Sequence, residues 1–551
     1  MIQEPDATPS NDNSADLLLR FLPAGKASAE SDLPHLPYAP SGASPPRFHP
    51  SSHSFPTTKP RKTLHWAMAG LILFSFTAPG ALVSVPFAVG TTGYVLSLLI
   101  LSLFTAATIA GCLMLLEIYQ CNPYCQNLPE LGAVAMGSVR GRRLAATVQL
   151  SNFVGFLPVS LTINALALQG TLGVAPEHSC LDYYILGISV LCLLSTQARA
   201  LSNTQALSLL SLTAILAAGA IQLGVAFSPS LMPPLPSSPS SSARMFGHPL
   251  LPHASPATEV VRTLLGVTCM AWSFVPCFLV VELASAMPAP HHFPRALFLA
   301  AGLLFLLFLG VGFPLVHRWG WDLPDPSYAL PAWPAAASVS RVMHALVLLA
   351  NLVSYTLDSV PLVRYCQRVW RPRFNLQDWS PRALGLYLLL SLPSFLFGVL
   401  AALVVGNLLA LLAFVSALSV PWVTQILPAL FYHSWRRRLS SASSRSYAHP
   451  ASAYDRPDDW ILALPPSLPP SLPPSSSTSP LGRLSLLLPP PVAGGIHAPL
   501  SVKEKFLLVF VASVGVMNFL ICAAAAVGKV SIAELRGKTQ IGCGAWTLYS
   551  D

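Results

Sequence analysis

Charge is what this chain has least of. Only 10% of its 551 residues are Asp, Glu, Lys or Arg, whereas 53% are hydrophobic and the mean hydropathy is +0.58. Soluble globular domains carry about 25% charged residues, so a water-soluble enzyme or binding module is excluded at the outset. Two stretches, His65 to Leu116 and Ala383 to Trp435, hold no charged side chain at all. At about 20 residues per crossing, each is long enough for a helical hairpin through a bilayer.

Other absences narrow the class. The first 60 residues are polar and rich in Pro and Ser, unlike the basic start and short apolar core of a cleavable signal peptide, so the first span is expected to direct insertion. CNPYC, with Cys121 and Cys125, lacks the paired spacing of a zinc site. Cys112, Cys192, Cys269, Cys277 and Cys522 lie inside apolar runs, where cysteine behaves as a small hydrophobe. No metal and no cofactor is expected. No G-x-S-x-G, H-E-x-x-H or pair of intramembrane aspartates suggests a hydrolase, and no filter loop or charged ring suggests a channel. The net charge of +9 reads as membrane topology, not as a nucleic-acid footprint. The expected surroundings are lipid, with no obligate protein partner.

What is present is a series of apolar runs separated by breakers. They predict eleven spans, near 64–87, 92–117, 144–169, 181–197, 205–227, 261–286, 296–316, 341–363, 383–405, 408–432 and 505–528. With the N-terminus in the cytoplasm, most of the 31 Lys and Arg fall on the inner side, as the positive-inside rule requires. The predicted organisation is a disordered cytoplasmic tail over 1–63, a transmembrane core over 64–435 with a disordered external loop at about 228–258, a Pro/Ser-rich cytoplasmic insertion over 436–503, and a last helix with a short tail over 504–551.

Two spans carry breakers at mid-membrane. The first has Pro79-Gly80 and the sixth has Pro276, each 15 residues into its span and five spans apart. Broken backbone at that depth is tolerated only where it is buried in protein or lines a cavity. The matched pair predicts an all-α five-plus-five inverted repeat whose helices one and six are discontinuous. A discontinuous helix offers free N–H groups to a carboxylate and free carbonyls to a cation, which suits a zwitterion. Thr77, Gly80, Ala81 and Ser84 in span one, and Trp272, Ser273 and Phe274 in span six, are therefore the candidate binding residues, with simple helix packing as the competing reading.

Ionisable residues within spans are rare and point to function. Glu117 closes span two and reads as interfacial. Asp358 sits beside Ser354, Tyr355, Thr356 and Ser359; it fits a coupling-proton carrier, a helix cap or a partner for Arg364. Glu282 ends span six before a proline-stiffened turn holding His291, His292 and Arg295, the composition of an inner-gate ion pair or of ordinary helix-end solvation.

That turn carries the clearest resemblance. VELASAMPAPHHFPRAL is similar to the P-E-I-x-x-E-M-x-x-P-x-x-F-P-x-A-L pattern of the amino acid/auxin permeases, within the amino acid–polyamine–organocation superfamily. Glu282, Met287, Pro290, Phe293, Pro294, Ala296 and Leu297 fall in register. VSVPFAVGTTGY, LPELGAVAMGSVRGRRLAATVQ, WSF at 272–274 and DSVP at 358–361 resemble further motifs of that family in order. Pro79-Gly80-Ala81 replaces its G-x-G, Ala286 its second acid, Val281 its proline before the first acid, and Asp358 stands where glutamine is usual.

The resemblance implies a multi-pass, LeuT-like secondary transporter of amino acids in a plasma, vacuolar or endosomal membrane, working by alternating access. It implies H+ as the coupling ion, with Na+ as the alternative through span-one carbonyls and the hydroxyls of Ser354 and Thr356. The competing implication, supported by the Pro79-Gly80-Ala81 change, is a sensor that binds an amino acid without moving it.

Overall fold

The computed structural model describes residues 64–174, 180–197, 204–228, 256–319, 337–370, 380–405, 407–448 and 500–535. Among them every regular element is helical. Span one is α1 (Trp66–Thr92), span two α2 (Tyr94–Cys121), and a short connecting helix α3 (Leu128–Met136) leads to span three, α4 (Val139–Leu172). Spans four and five are α5 (Leu181–Ser195) and α6 (Thr204–Phe227). Span six is divided into α7 (Pro256–Trp272) and, after a 3-10 turn, α8 (Val280–Ala286). Span seven joins α9 (Phe293–Leu307) to α10 (Phe313–Trp319) through a π-helical turn at Phe308–Gly312. Spans eight and nine are α11 (Ala337–Trp370) and α12 (Pro381–Val405). Span ten is α13 (Leu408–Leu418), a π-helical turn (Trp422–Ile426) and α14 (Leu427–Ala448), and span eleven is α15 (Val502–Leu535).

Ten of these spans are long and apolar enough to cross a bilayer, and the shorter apolar helix Leu181–Ser195 is the eleventh. The packing obeys a five-span offset. Span one packs on span seven as span six packs on span two; span three on nine as eight on four; span five on eight as ten on three; span five on one as ten on six. Each of these neighbour relations reappears when five is added to both spans, with the sum wrapping from ten back to one. This is the signature of a five-plus-five repeat, and because five is odd the two halves run oppositely through the membrane.

One expected break is present and the other is not. Proline lacks an N–H and crowds the carbonyl four residues earlier; at Pro276 this ends α7 at Trp272, and residues 274–276 lie outside any helix. Span one instead stays helical through Pro79 and Pro86, which corrects the prediction of a discontinuous helix one. The physical reason for Pro79 comes from another span. Its missing N–H frees the carbonyl of Ser75, and the hydroxyl of Ser354 in span eight donates to that carbonyl at 3.2 Å and to the carbonyl of Phe76 at 2.6 Å.

Two boundaries also move. The helix of span ten runs on to Ala448, so 436–448 is helical and not part of a disordered insertion, and α7 starts at Pro256 inside the predicted external loop. The remaining disorder predictions, over 1–63, 229–255 and 449–499, lie outside the described residues, as does the short tail over 536–551.

The LPELGAVAMGSVRGRR stretch shows why its small residues are spaced as they are. Asn127 caps α3 by accepting from the Glu130 N–H at 2.9 Å, while Glu130 reaches back to the Gln126 N–H at 2.7 Å, a reciprocal cap. The chain then reverses through Gly137 at φ +59°, and α3 lies across α4 with Gly132 and Gly141 at the contact. A β-carbon on Gly132 would stand 2.8 Å from the Gly141 carbonyl, so only glycine permits this approach.

Two polar systems fasten spans ten and eleven to the bundle. In the middle, Gln425 of the π-helical turn donates to Thr108 of span two at 3.1 Å and accepts from Asn518 of span eleven at 3.5 Å. At the end shared by the termini of spans two and ten and the start of span eleven, Glu504 receives Arg436 at 2.9 Å, the Tyr432 hydroxyl at 3.0 Å and the Ser501 N–H at 2.7 Å. Glu117 lies in the same cluster, within electrostatic reach of Tyr432 and Arg436.

Candidate functional site

A small pocket lies where spans one, three, six and eight meet. Span one contributes Phe76, Thr77 and Gly80; span six contributes Trp272, the last residue before its break; span eight contributes Asn351, Ser354 and Asp358. The span-eight residues fall at i, i+3 and i+7, one helical face. Span three completes the wall with Phe156, Ser160 and Ile163, again one face around Pro158.

Aromatic rings hold this geometry. The Trp272 indole stacks on Phe156 with centroids 3.9 Å apart and 21° between planes. Phe278, just beyond the break, meets Phe76 and Phe153 edge-on at 5.1 Å each. Such contacts contribute roughly 0.5–1.5 kcal/mol apiece beyond area burial, and here they lock the end of α7 against spans one and three. Gly80 gives the indole its room, because a β-carbon there would come within 3.2 Å of the indole nitrogen.

The polar atoms divide into satisfied and unsatisfied. Thr77 donates to the carbonyls of Leu73 at 3.1 Å and Phe74 at 3.3 Å, Ser354 donates to span one, and Asn351 donates to the Ser160 carbonyl at 2.9 Å. Asp358 is fully buried and neither carboxyl oxygen has a hydrogen-bond partner. A charged carboxylate buried without a partner is costly. Taking up a proton or meeting a cation in the cavity would relieve that cost.

Of the eleven residues nominated from sequence, the structure brings together Thr77, Gly80, Trp272, Ser354 and Asp358 on the cavity wall. Ala81 is buried in packing. Ser84 turns its hydroxyl to the Gly80 carbonyl at 2.9 Å and Ser273 to that of Cys269 at 2.7 Å, while Phe274 is buried in the break itself. Thr356 faces away, donating to Ser195 of span four at 3.1 Å. Glu282 lies partly exposed in the first turn of α8 and does not line this cavity. Phe76, Phe156, Ser160 and Asn351 were not nominated. The i, i+3, i+7 spacing of Asn351, Ser354 and Asp358 in an otherwise apolar helix is the signal that would have found Asn351.

The CNPYC cysteines part company: Cys121 is exposed and Cys125 buried. Burial, with the charge of Glu130 adding to it, pushes the Cys125 thiol up to about 12.

A family profile described as transmembrane amino acid transporter protein matches residues 62–452. Among solved structures, the chain is similar to a Na+-coupled sialic acid symporter in its substrate-bound outward-open state, at 14% identity over 85% of this chain and 91% of that one, TM-score 0.45. It is similar to Mhp1, a nucleobase-cation-symport-1 family transporter, at 13% identity over 85% and 97% of the two chains, TM-score 0.45. MhsT in complex with L-phenylalanine gives 14% identity over 83% and 98%, TM-score 0.46. A search of curated protein sequences found no match.

Proposed function

This chain belongs to the transmembrane amino acid transporter family, and on that premise we propose that it carries amino acids across a membrane by alternating access, with protons as the coupling ion and Asp358 as the residue that takes them up. The observation that supports this reading is the buried, unpartnered Asp358 carboxyl on a cavity walled by both halves of the inverted repeat. A residue at the interface of the two halves changes its access to either side when one half rocks against the other. Only one of the two span-eight hydroxyls of the sodium alternative, Ser354, faces span one; Thr356 bonds to span four. This favours protons over sodium.

Purified protein in proteoliposomes, presented with a panel of radiolabelled amino acids with and without a pH gradient, tests the proposal. Uptake that follows the proton gradient is the expected result. Uptake that needs sodium replaces the coupling ion, and binding without flux replaces the transporter with the sensor. The unbroken span one, which exposes no amides of the kind a G-x-G bend would, is the feature that keeps the sensor reading in view.

Glu282 belongs to this proposal as a gate. It stands near the junction where the Leu64 N–H meets the Ala286 carbonyl at 3.3 Å, so the start of span one and the end of span six close together there. With the N-terminus cytoplasmic, this is the inner side, and Glu282 pairs with His291, His292 or Arg295 when it is shut. Glu282→Gln is expected to shift the protein towards the inward-open state. Faster cysteine labelling of inner-cavity positions would report the shift; wild-type labelling and kinetics would reduce Glu282 to helix-end solvation.

A further inference from the structure

The cavity wall is chemically one-sided. Thr77 and Ser354 each commit their only hydroxyl proton to a backbone carbonyl, and Asn351 commits one amide proton to Ser160. Towards the cavity these groups therefore present mainly lone pairs. Span one is helical from Phe76 to Gly80, so its amides there are used within the helix, and Pro79 has none. The aromatic residues Trp272, Phe156 and Phe76 add π systems. Among the described residues no Lys, Arg or His lines the cavity, and the one ionisable group on its wall is Asp358, fully buried with both oxygens unpartnered. The donors left over, the Trp272 indole N–H, the Ser160 hydroxyl and the second Asn351 N–H, are neutral.

A wall of one acid, several acceptors and aromatic rings is complementary to a cation. Any amino acid brings a carboxylate to which this wall opposes no positive charge, so a ligand with a second cationic group, or an amine without the carboxylate, matches the wall better than a neutral zwitterion does. We infer that the ligand of this cavity carries a net positive charge: an amino acid with a basic side chain, or the corresponding amine, its ammonium or guanidinium paired with Asp358. This rests on the transport reading and gives it a substrate class. It also gives a reason for an acid at a position where the family usually has glutamine: that acid pairs with the cation. Asp358 is the residue that selects charge, and Trp272 and Phe156 form the apolar floor along which the aliphatic stem lies.

The test is counterflow by the full-length chain in proteoliposomes, with radiolabelled lysine, arginine, glutamine, leucine and glutamate, and with cadaverine as the lysine-derived amine. Basic solutes are expected to half-saturate at concentrations at least about 10-fold lower than the neutral ones, since truncating one side of a buried charge pair typically costs more than that. Lysine with cadaverine, or one without the other, tells amino acid from amine. Asp358→Asn should erase the preference for basic over neutral solutes, and Asp358→Glu should keep it; monodispersity and thermal unfolding of each variant in detergent guard against misfolding. Preference for neutral or acidic amino acids, an unchanged preference in Asp358→Asn, or a response to Na+ with no organic ligand would overturn the inference. If no solute is carried yet lysine or cadaverine still raises the unfolding temperature of the wild type and not of Asp358→Asn, the transport reading fails and the charge assignment stands.

Discussion

Asp358→Asn is expected to reduce proton-driven uptake to the level of liposomes without protein, while exchange at saturating substrate on both sides continues. The two processes separate because they ask different things of the same residue. Net uptake driven by a pH gradient needs a group that binds a proton on one side and releases it on the other, and asparagine cannot. Exchange needs only that the loaded protein change its facing. Asparagine keeps the shape of the side chain and removes the buried charge, so the fold should tolerate it. The check is uptake under an imposed pH gradient, followed by exchange at equal pH, in one preparation. An unchanged dependence on the gradient would remove the proton from Asp358 and leave the carboxyl with its charge-selecting role alone.

The second large effect is structural. Glu504→Ala is expected to destabilise the protein by about 3 kcal/mol, the usual cost of leaving one member of a buried ion pair alone. The carboxylate is 4% exposed and its partner Arg436 13% exposed, so solvent offers little replacement. The loss also strips a hydrogen bond from the Tyr432 hydroxyl and the reciprocal cap from the start of α15. Glu504→Gln removes the charge but keeps one acceptor oxygen, which can still receive Arg436 and the Tyr432 hydroxyl while the bond from the Ser501 N–H is lost, and should cost less than the alanine. Thermal unfolding in detergent separates them; equal, small shifts for both would mean that span eleven is held by its apolar face and by Asn518 alone.

How much of this was legible follows from where each signal resides. Span number, the repeat and the break at Pro276 are local properties of the chain, set by apolar length and by a missing N–H. The state of span one is not local. Pro79 gives the same sequence signal as Pro276, but a hydroxyl 279 positions away mends the ladder in one case and nothing comparable does in the other. The site divides in the same way. Asp358, Ser354 and Trp272 are conspicuous as an acid, a hydroxyl and an aromatic beside a breaker. Phe156 and Ser160 look like ordinary residues of an apolar helix, and only packing of span three against the end of α7 makes them part of the wall. Thr356 is the converse: beside Ser354 in sequence, it lies on another face of the helix and serves span four.

The bond from Ser354 to the carbonyls of Ser75 and Phe76 has a thermodynamic consequence. A helix whose continuity is completed by a neighbour is linked to that neighbour's position: whatever separates span eight from span one also raises the free energy of the straight form of span one relative to a bent one. By reciprocity, a ligand atom that takes over those carbonyls favours separation by the same amount. The straightness of span one is then a variable of the transport cycle, set from span eight by a single hydroxyl, and Ser354→Ala is the lever that shifts it without touching the ligand's charge.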